Sequence, residues 1–282
     1  MKFLLFGGET GWIGKVLVQL LQQYHDVIVA PSQCRMQNRE QIATILNHFK
    51  PDRVIIAAGL TGRPNVDWCE VHKKEVIETN VVGVLTVASE CDKRGIHCTY
   101  LGTGCIFQYD SDHLIGGRGF KETDVPNFSG SYYSKTKAMV EELLKEYDNV
   151  LTLRVRMPIS DDLHPRNFIT KILNYEKIVN VPNSMTVLSD LLPVLVDMSI
   201  TKKTGIYNFV NPGAVSHNEI MQMYKEIVKP DHTWTNFSLE EQSTVLRTGR
   251  SNCELDCSKL LTEYPNIPLA KDSIRKIMIT WK

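Results

Sequence analysis

Up to residue 155 the chain alternates between short apolar runs and longer segments in which apolar residues recur every three or four positions. The runs are rich in β-branched residues and predict strands, whereas the longer recurrence predicts amphipathic helices. The predicted strands cover residues 2–6, 26–30, 53–57, 97–101 and 150–155, and the predicted helices cover 13–24, 38–49, 76–91 and 133–147. Continuous apolar strands separated by helices are typical of a parallel sheet covered on both faces. We therefore expect an α/β fold with a Rossmann-like, doubly wound sheet.

After residue 158 the pattern loosens. Helices are predicted only at 167–175 and 217–228 and a strand at 205–210, with short apolar faces that prolines interrupt. The prolines are Pro165, Pro182, Pro193 and Pro212. We expect an NAD(P)-binding domain at 1–158 and a smaller substrate-binding lobe at 159–282 that does not fold alone. Because ligands of open α/β sheets bind outside the carboxyl ends of the strands, the ligand should lie between the two parts.

Composition narrows the class of partner. The 282 residues carry 32 basic and 32 acidic side chains, so no net field attracts nucleic acid or an anionic membrane. The sequence shows neither a signal peptide nor an apolar stretch that could span a bilayer, and we expect a cytoplasmic protein. Its seven cysteines form no metal-binding spacing, so we expect reduced thiols and no metal site.

A glycine-rich turn follows the first predicted strand. Gly8, Gly11 and Gly14 recur every three residues before the first predicted helix. Glycines at this point allow a tight turn, a close approach of backbone amides to a pyrophosphate and close packing of helix on strand. The strand and helix on either side are the context that the motif requires, and they predict dinucleotide binding.

The end of the second predicted strand bears on which dinucleotide is bound. Enzymes that prefer NAD often have an acidic residue there, which holds the ribose 2′-hydroxyl. This chain has Ser32 and Arg35 instead, which can hold a 2′-phosphate and favour NADPH, with NADH also possible. Alternatively, Arg35 does not contact the cofactor and is a solvated charge in a loop.

Tyr133 and Lys137 are the first candidate catalytic pair. Residues four apart lie on one face of a helix, where the ammonium is expected to lower the phenol pKa from its usual ~10. The alternative is a partly buried tyrosine beside a solvated lysine. Thr103, at the end of the fourth predicted strand, adds a hydroxyl. The three groups together suit the reduction of a carbonyl by a nicotinamide.

Four motifs extend this interpretation over nearly the whole chain. They cover residues 61–70 (TGRPNVDWCE), 103–107 (TGCIF), 130–142 (GSYYSKTKAMVEE) and 154–158 (RVRMP). In these motifs the sequence resembles the extended short-chain dehydrogenase/reductases. Within that family it is similar to the bifunctional nucleotide-sugar 3,5-epimerase/4-reductases that complete UDP-L-rhamnose synthesis in plants and some giant viruses.

The resemblance implies which residues hold the cofactor and catalyse the two steps. The implied cofactor contacts are Gly8, Thr10, Gly11, Trp12, Ile13, Gly14, Ala57, Ala58, Gly59, Asn80, Tyr133 and Lys137. Tyr133 and Lys137 carry over as the reductase pair, and Cys105 and Lys171 as the epimerase pair. His164 lies in a segment, 161–166, that departs from the plant pattern, so it is a second candidate partner for Cys105. Without a 4-keto substrate, Cys105 would be a small buried apolar residue.

The resemblance also implies the substrate and the partners. The substrate would be UDP-4-keto-6-deoxy-D-glucose, produced by a separate UDP-glucose 4,6-dehydratase. Its implied contacts are Asn65, Thr103, Asn167, Asn183 and Arg250, although each asparagine can equally be a turn or cap residue. A homodimer formed through the predicted helix 133–147 is expected.

Two alternatives have different activities. A 4-reductase without epimerase activity, similar to dTDP-4-dehydrorhamnose reductase, would keep Thr103, Tyr133 and Lys137 but would not need Cys105 or Lys171. A regulatory subunit that binds NAD(P) without turnover would need none of the catalytic groups.

Overall fold

The computed structural model describes residues 1–62, 65–238, 240–241 and 248–282. Its strands are β1 Lys2–Phe6, β2 Asp26–Val29, β3 Arg53–Ile56, β4 His97–Thr103, β5 Val150–Val155, β6 Pro158–Ile159, β7 Lys177–Val179, β8 Thr186–Val187, β9 Gly205–Asn208 and β10 Thr235–Phe237. Its α-helices are α1 Trp12–Leu21, α2 Arg39–Phe49, α3 Trp68–Val71, α4 Lys73–Ile77, α5 Val84–Asp92, α6 Tyr132–Leu144, α7 Phe168–Leu173, α8 Leu188–Ile200, α9 His217–Ile227, α10 Ser258–Glu263 and α11 Ala270–Ile279.

A six-stranded parallel sheet organises the molecule, with strand order β2-β1-β3-β4-β5-β9. Alternate residues of β1 enter different apolar cores, with Phe3 and Leu5 in one and Leu4 and Phe6 in the other. The first core contains side chains of α1 and α8, and the second contains side chains of α2, α5 and α6. Helices therefore cover both faces of the sheet, and the expected Rossmann-like α/β fold is confirmed.

The predicted helix over 76–91 differs from the structure. The chain forms α4, then a π-helical turn over Glu78–Gly83, then α5. The π turn brings Gly83 against Met36, since a Cβ on Gly83 would lie 2.9 Å from the Met36 Cβ. Wider turns of this kind are frequent at functional sites. This turn carries Asn80.

Pro193 was expected to interrupt the second half of the chain, and it does not. It lies inside the helix α8, on the solvent-exposed face. Proline removes one helical hydrogen bond, and at an exposed position water can satisfy the carbonyl that loses its partner. Leucines on the other face of α8 pack into the core of the main sheet.

The chain after residue 158 contributes to two cores. Strand β9 pairs with β5 as the sixth strand of the main sheet, so a division at residue 158 leaves this strand and α8 on the far side of the boundary. A separate core is built from the β6–β8 pair, β7, α7, α9 and α11. Within the described ranges, no helix has both the length and the apolar character needed to cross a membrane.

Candidate active site

The loop between β1 and α1 folds tightly because of its glycines. Gly7 has a φ of 89°, and its carbonyl accepts a hydrogen bond from the Gly11 amide at 3.1 Å. A Cβ on Gly11 would lie 2.5 Å from the Gly7 oxygen, and one on Gly14 would lie 2.1 Å from it. Neither position has room for a side chain. The loop thereby presents the first amides of α1 to an anion at the edge of the sheet.

A cavity of about 500 Å³, a size typical of small-molecule sites, lies beside this loop. It is lined by the predicted cofactor residues Thr10, Gly11, Ser32, Arg35, Ala57, Ala58 and Gly59, among others. Asn80 stabilises the wall formed by the chain after β3. Its side chain accepts from the Leu60 amide and donates to the Leu60 carbonyl, both at 2.8 Å.

Glu9 lies in the same cavity and was missed by the sequence analysis. Its carboxylate accepts a hydrogen bond from the Ser32 amide at 2.5 Å. An acidic group beside the end of β2 stands where Rossmann folds hold the adenosine ribose. An acidic residue within the glycine loop itself was the signal that could have identified it.

Trp12 joins the glycine loop to the chain after β6. Its indole Nε1 donates to a carboxylate oxygen of Asp162 at 2.8 Å, and its ring stacks on His164 with centroids 5.2 Å apart. The side chain of Trp12 is buried. Ile13, the next predicted cofactor residue, packs against the first core. The dinucleotide loop and the second part of the chain are therefore directly in contact.

The candidate reductase groups meet at the carboxyl end of β4. Helix α6 begins at Tyr132 because Ser131 caps it, its hydroxyl accepting from the Ser134 amide at 3.1 Å. This cap places Tyr133 in the first turn. Burial raises the pKa of Tyr133, and a hydrogen bond with Thr103 opposes that rise. The phenol and the Thr103 hydroxyl are therefore adjacent to each other at this end of the strand.

Lys137 contacts a different tyrosine from the one expected. Its ammonium donates to the Tyr100 hydroxyl and, at 3.1 Å, to the Leu101 carbonyl. Burial lowers the pKa of Lys137 to about 7. The expectation that this ammonium lowers the pKa of Tyr133 is wrong for this structure, because burial disfavours the charged form of both groups.

Cys105 follows β4 in a turn and contacts Arg156. The guanidinium Nη1 lies 3.2 Å from the Cys105 Sγ. Thr103 fixes the turn, since its hydroxyl accepts from the Cys105 amide at 3.1 Å. Arg156 was part of a sequence motif, but nothing in the sequence pointed to its role, because it lies 51 positions away along the chain.

Lys171 lies on α7 and is electrostatically coupled to Cys105. Burial lowers the pKa of Lys171, the nearby Arg166 lowers it further, and Cys105 opposes both. Lys171 and Asn65 line a second cavity of about 320 Å³. Lys171 is therefore near enough to Cys105 for an electrostatic interaction. His164, the other candidate partner, stacks on Trp12.

The remaining predicted substrate residues occupy different environments. Asn167 and Asn183 are fully buried, and their side-chain amides are hydrogen-bonded within the protein. Asn167 caps α7 and so positions Lys171. Arg250 is half-buried and forms an ion pair with Asp67 at 2.9 Å. Of the motif over 61–70, Arg63 and Pro64 lie outside the described residues.

The chain resembles known proteins over nearly its whole length. The family model described as the RmlD substrate binding domain matches residues 1–264. The chain is 55% identical to the Arabidopsis thaliana bifunctional dTDP-4-dehydrorhamnose 3,5-epimerase/dTDP-4-dehydrorhamnose reductase, over 98% of this chain and 92% of that protein.

Two further relatives concern UDP-sugars. The chain is 53% identical to an Arabidopsis thaliana trifunctional UDP-glucose 4,6-dehydratase/UDP-4-keto-6-deoxy-D-glucose 3,5-epimerase/UDP-4-keto-L-rhamnose-reductase, over 98% of this chain but 41% of that protein. Among solved structures, the crystal structure of a UDP-rhamnose synthase from Acanthamoeba polyphaga mimivirus superimposes with a TM-score of 0.95. That protein is 42% identical, and the match covers 99% of both chains.

Proposed function

The chain belongs to the family of the RmlD substrate binding domain, and from this membership we propose that it inverts C3 and C5 of UDP-4-keto-6-deoxy-D-glucose and then reduces C4 with NADPH, giving UDP-L-rhamnose. The observation that carries the proposal is the meeting of two sets of groups at the end of β4. Tyr133 and Thr103 supply donors for a ketone, and the Thr103 hydroxyl also accepts a hydrogen bond from the amide of Cys105, the candidate epimerase thiol, at 3.1 Å.

The epimerase step uses the acidity of the carbons next to the ketone. One of Cys105 and Lys171 removes the proton on one face of the sugar ring, and the other delivers a proton to the opposite face. While the proton is absent, negative charge moves to the C4 oxygen. Hydrogen bonds from Tyr133 and Thr103 stabilise that charge, in the manner of an oxyanion hole.

The reductase step uses the same oxygen. NADPH, when bound along the glycine loop, supplies the hydride that reduces C4. Tyr133 gives its proton to the C4 oxygen, and Thr103 orients the phenol. Lys137 holds the nicotinamide ribose in this proposal, and its contacts with Tyr100 and Leu101 set its position beneath the end of β4.

The nucleotide and the cofactor occupy the two ends of the cleft in this proposal. Arg250 binds the diphosphate of the substrate, because a guanidinium fork suits phosphate oxygens, and it exchanges its partner Asp67 for them on binding. Ser32 and Arg35 hold the adenosine end of NADPH. Asn65 contacts the sugar nucleotide from the second cavity. Asn167 and Asn183 are buried and instead position other side chains of the site, Lys171 and Arg156 respectively.

The proposal extends to partners and location. A separate UDP-glucose 4,6-dehydratase supplies the 4-keto substrate. The protein is a cytoplasmic homodimer, and Met139 and Leu143 of α6, which expose 52% and 47% of their surface, lie at the interface. Light scattering of the wild type and a Met139→Lys/Leu143→Lys variant tests the dimer. A monomeric wild type would contradict it.

Isotope incorporation tests the bifunctional activity. The enzyme is incubated with UDP-4-keto-6-deoxy-D-glucose and NADPH in deuterated water, and the product is analysed by NMR. We expect UDP-L-rhamnose that carries deuterium at C3 and C5. Reduction without deuterium at these carbons would leave a 4-reductase only. If NADPH binds but neither reduction nor exchange occurs, the result would support a regulatory subunit.

A competition experiment tests the nucleotide. One similar protein is named for a dTDP-sugar and two for UDP-sugars. We expect UDP to inhibit reduction at a lower concentration than dTDP. The opposite order would assign the substrate to the dTDP series and leave the two proposed reaction steps intact.

A further inference from the structure

Arg154, on β5, and Arg156, directly after β5, are both fully buried, and they have different partners. Arg154 forms an ion pair with the Glu141 carboxylate at 2.7 Å. Arg156 forms no ion pair with a carboxylate among the described residues. Its guanidinium is instead directed at the Cys105 sulfur, at 3.2 Å. A buried guanidinium without a counter-ion is unfavourable, and a thiolate is the anion that this site can provide.

Arg156 is held rigidly in this position. Its guanidinium donates to the Ser251 hydroxyl at 3.0 Å, to the Ser251 carbonyl at 2.7 Å and to the side-chain oxygen of Asn183. The other side-chain group of Asn183 donates to the Val181 carbonyl, which fixes the orientation of the amide. All of these acceptors are neutral, so they orient the guanidinium without neutralising its charge.

We propose that Arg156 is a positioning residue that keeps Cys105 as a thiolate and thereby makes Cys105 the base, and Lys171 the acid, of the epimerase step. This assignment rests on the proposed function. The thiolate takes a proton from the carbon beside the ketone, forming S–H as the C–H bond breaks, and the electron pair moves to the C4 oxygen. The Lys171 ammonium then gives a proton to the opposite face of that carbon.

Other titratable groups also face Cys105. They are Tyr133 and Lys137 from α6, Lys171 from α7 and Cys253 from the segment after residue 248. Burial raises the pKa of Tyr133 and Cys253 and lowers the pKa of both lysines, so it favours the neutral form of all four groups. Burial lowers the pKa of Arg156, but the neighbouring Cys253 and Cys105 raise it by more. Arg156 therefore stays cationic at any pH at which the lysines lose their charge.

The pH dependence of alkylation tests this role without substrate. The rate of iodoacetamide modification of Cys105 is followed by peptide mass spectrometry from pH 5 to 10, because only the thiolate reacts. We expect Arg156→Met to move the half-maximal rate upward by one pH unit or more and to lower the rate at pH 7 by about tenfold. Arg156→Lys should restore most of the wild-type profile. Cys34, which lies in the dinucleotide cavity, is an internal control whose profile should not change.

Two further variants keep the test decisive. Asn183→Asp keeps the shape of the side chain but gives Arg156 a carboxylate partner, so its Cys105 profile should also move upward. Lys171→Met should move the profile less than Arg156→Met does. An unchanged Cys105 profile in both Arg156→Met and Asn183→Asp would overturn the proposal, whatever the effect of Lys171→Met. If the alkylation profiles change as expected but the wild type shows no isotope exchange, the result would contradict the epimerase function and not the role of Arg156.

Discussion

The ammonium of Lys137 donates a hydrogen bond to the hydroxyl of Tyr100, 2.5 Å away, and lies over the Tyr100 ring. Both groups are buried, and the Tyr100 oxygen is a neutral acceptor. The ammonium is therefore held in an apolar environment that disfavours its charge. The cofactor-free protein contains a lysine whose protonation changes near neutral pH.

This relationship predicts how Lys137→Met changes stability with pH. Burial lowers the pKa of Lys137 to about 7, from an ordinary value of 10.5. Between these values the unfolded chain binds more protons than the folded one, so Lys137 makes the wild type more stable as pH rises. Below about pH 7 both states are protonated and the full cost of burying the charge applies. We expect Lys137→Met to be more stable than the wild type at pH 6, by a margin that shrinks towards pH 10. Urea unfolding of the cofactor-free proteins measures this, and a margin independent of pH would contradict it.

Tyr133→Phe should remove the proton donor of the reductase step. A positioned acid contributes about 10²- to 10⁴-fold, and we expect the rate of NADPH oxidation to fall by that factor. Tyr132→Phe is the matched control, because Tyr132 is the adjacent residue of the same helical turn and lies against Lys73. Equal losses in the two variants would indicate a general disturbance of α6.

Cys105→Ser should abolish deuterium exchange at one or both of C3 and C5 while the affinity for NADPH changes little. Lys171→Met should abolish inversion at the same carbons, since a base without its opposing acid cannot deliver a proton to the other face of the ring. His164→Gln is the control for the partner of Cys105, and it should retain exchange. NMR of substrate kept in deuterated water without NADPH measures exchange separately from reduction. Normal exchange in Cys105→Ser would make the epimerase assignment wrong.

Glu9→Gln should strengthen the preference for NADPH over NADH. The Glu9 carboxylate accepts from the Ser32 amide in the adenosine end of the cavity, where it repels a 2′-phosphate and can accept from a 2′-hydroxyl. Removing one charge at the surface is worth about 1 kcal/mol, so the ratio of kcat/KM values should rise about three- to tenfold. Gln41→Glu, on the neighbouring helix α2, is a comparison that adds a charge near Arg35 and should lower the ratio. If Glu9→Gln leaves the ratio of kcat/KM for NADPH over NADH unchanged, the 2′-phosphate of NADPH does not bind near Glu9.

Glu141→Gln should destabilise the fold strongly. It leaves the buried Arg154 without its carboxylate, and removing one partner of a buried ion pair costs about 3 to 5 kcal/mol. Glu142→Gln is the control, because its ion pair with Lys145 lies on the surface and should contribute less than about 1 kcal/mol. Urea unfolding at pH 7 compares the two. Similar losses would mean that the Arg154–Glu141 pair is not the stabilising contact.

The parts of the site predicted from the sequence are those built by neighbouring residues. The glycine loop, the Tyr133–Lys137 spacing and the first five strands depend on local sterics and hydrophobic periodicity, and each is visible within a window of about 20 residues. Pro193 within α8 and the π turn at Glu78–Gly83 departed from the prediction because packing outweighed local preference. Trp12 was predicted as a cofactor residue, but its contacts with Asp162 and His164 could not be predicted.

The sequence by itself determined the Rossmann-like fold, the dinucleotide loop and the presence of a hydroxyl, a phenol, a thiol and two amines suited to a keto-sugar. The tertiary structure alone decided which of these groups interact. Arg156 meets Cys105 across 51 positions, Trp12 meets Asp162 across 150, and Lys137 meets Tyr100 rather than Tyr133. Such contacts depend on how β4, β5 and α6 pack together, and burial then sets which groups carry charge. The spacing of residues along the chain specifies neither these contacts nor the charges of the buried groups.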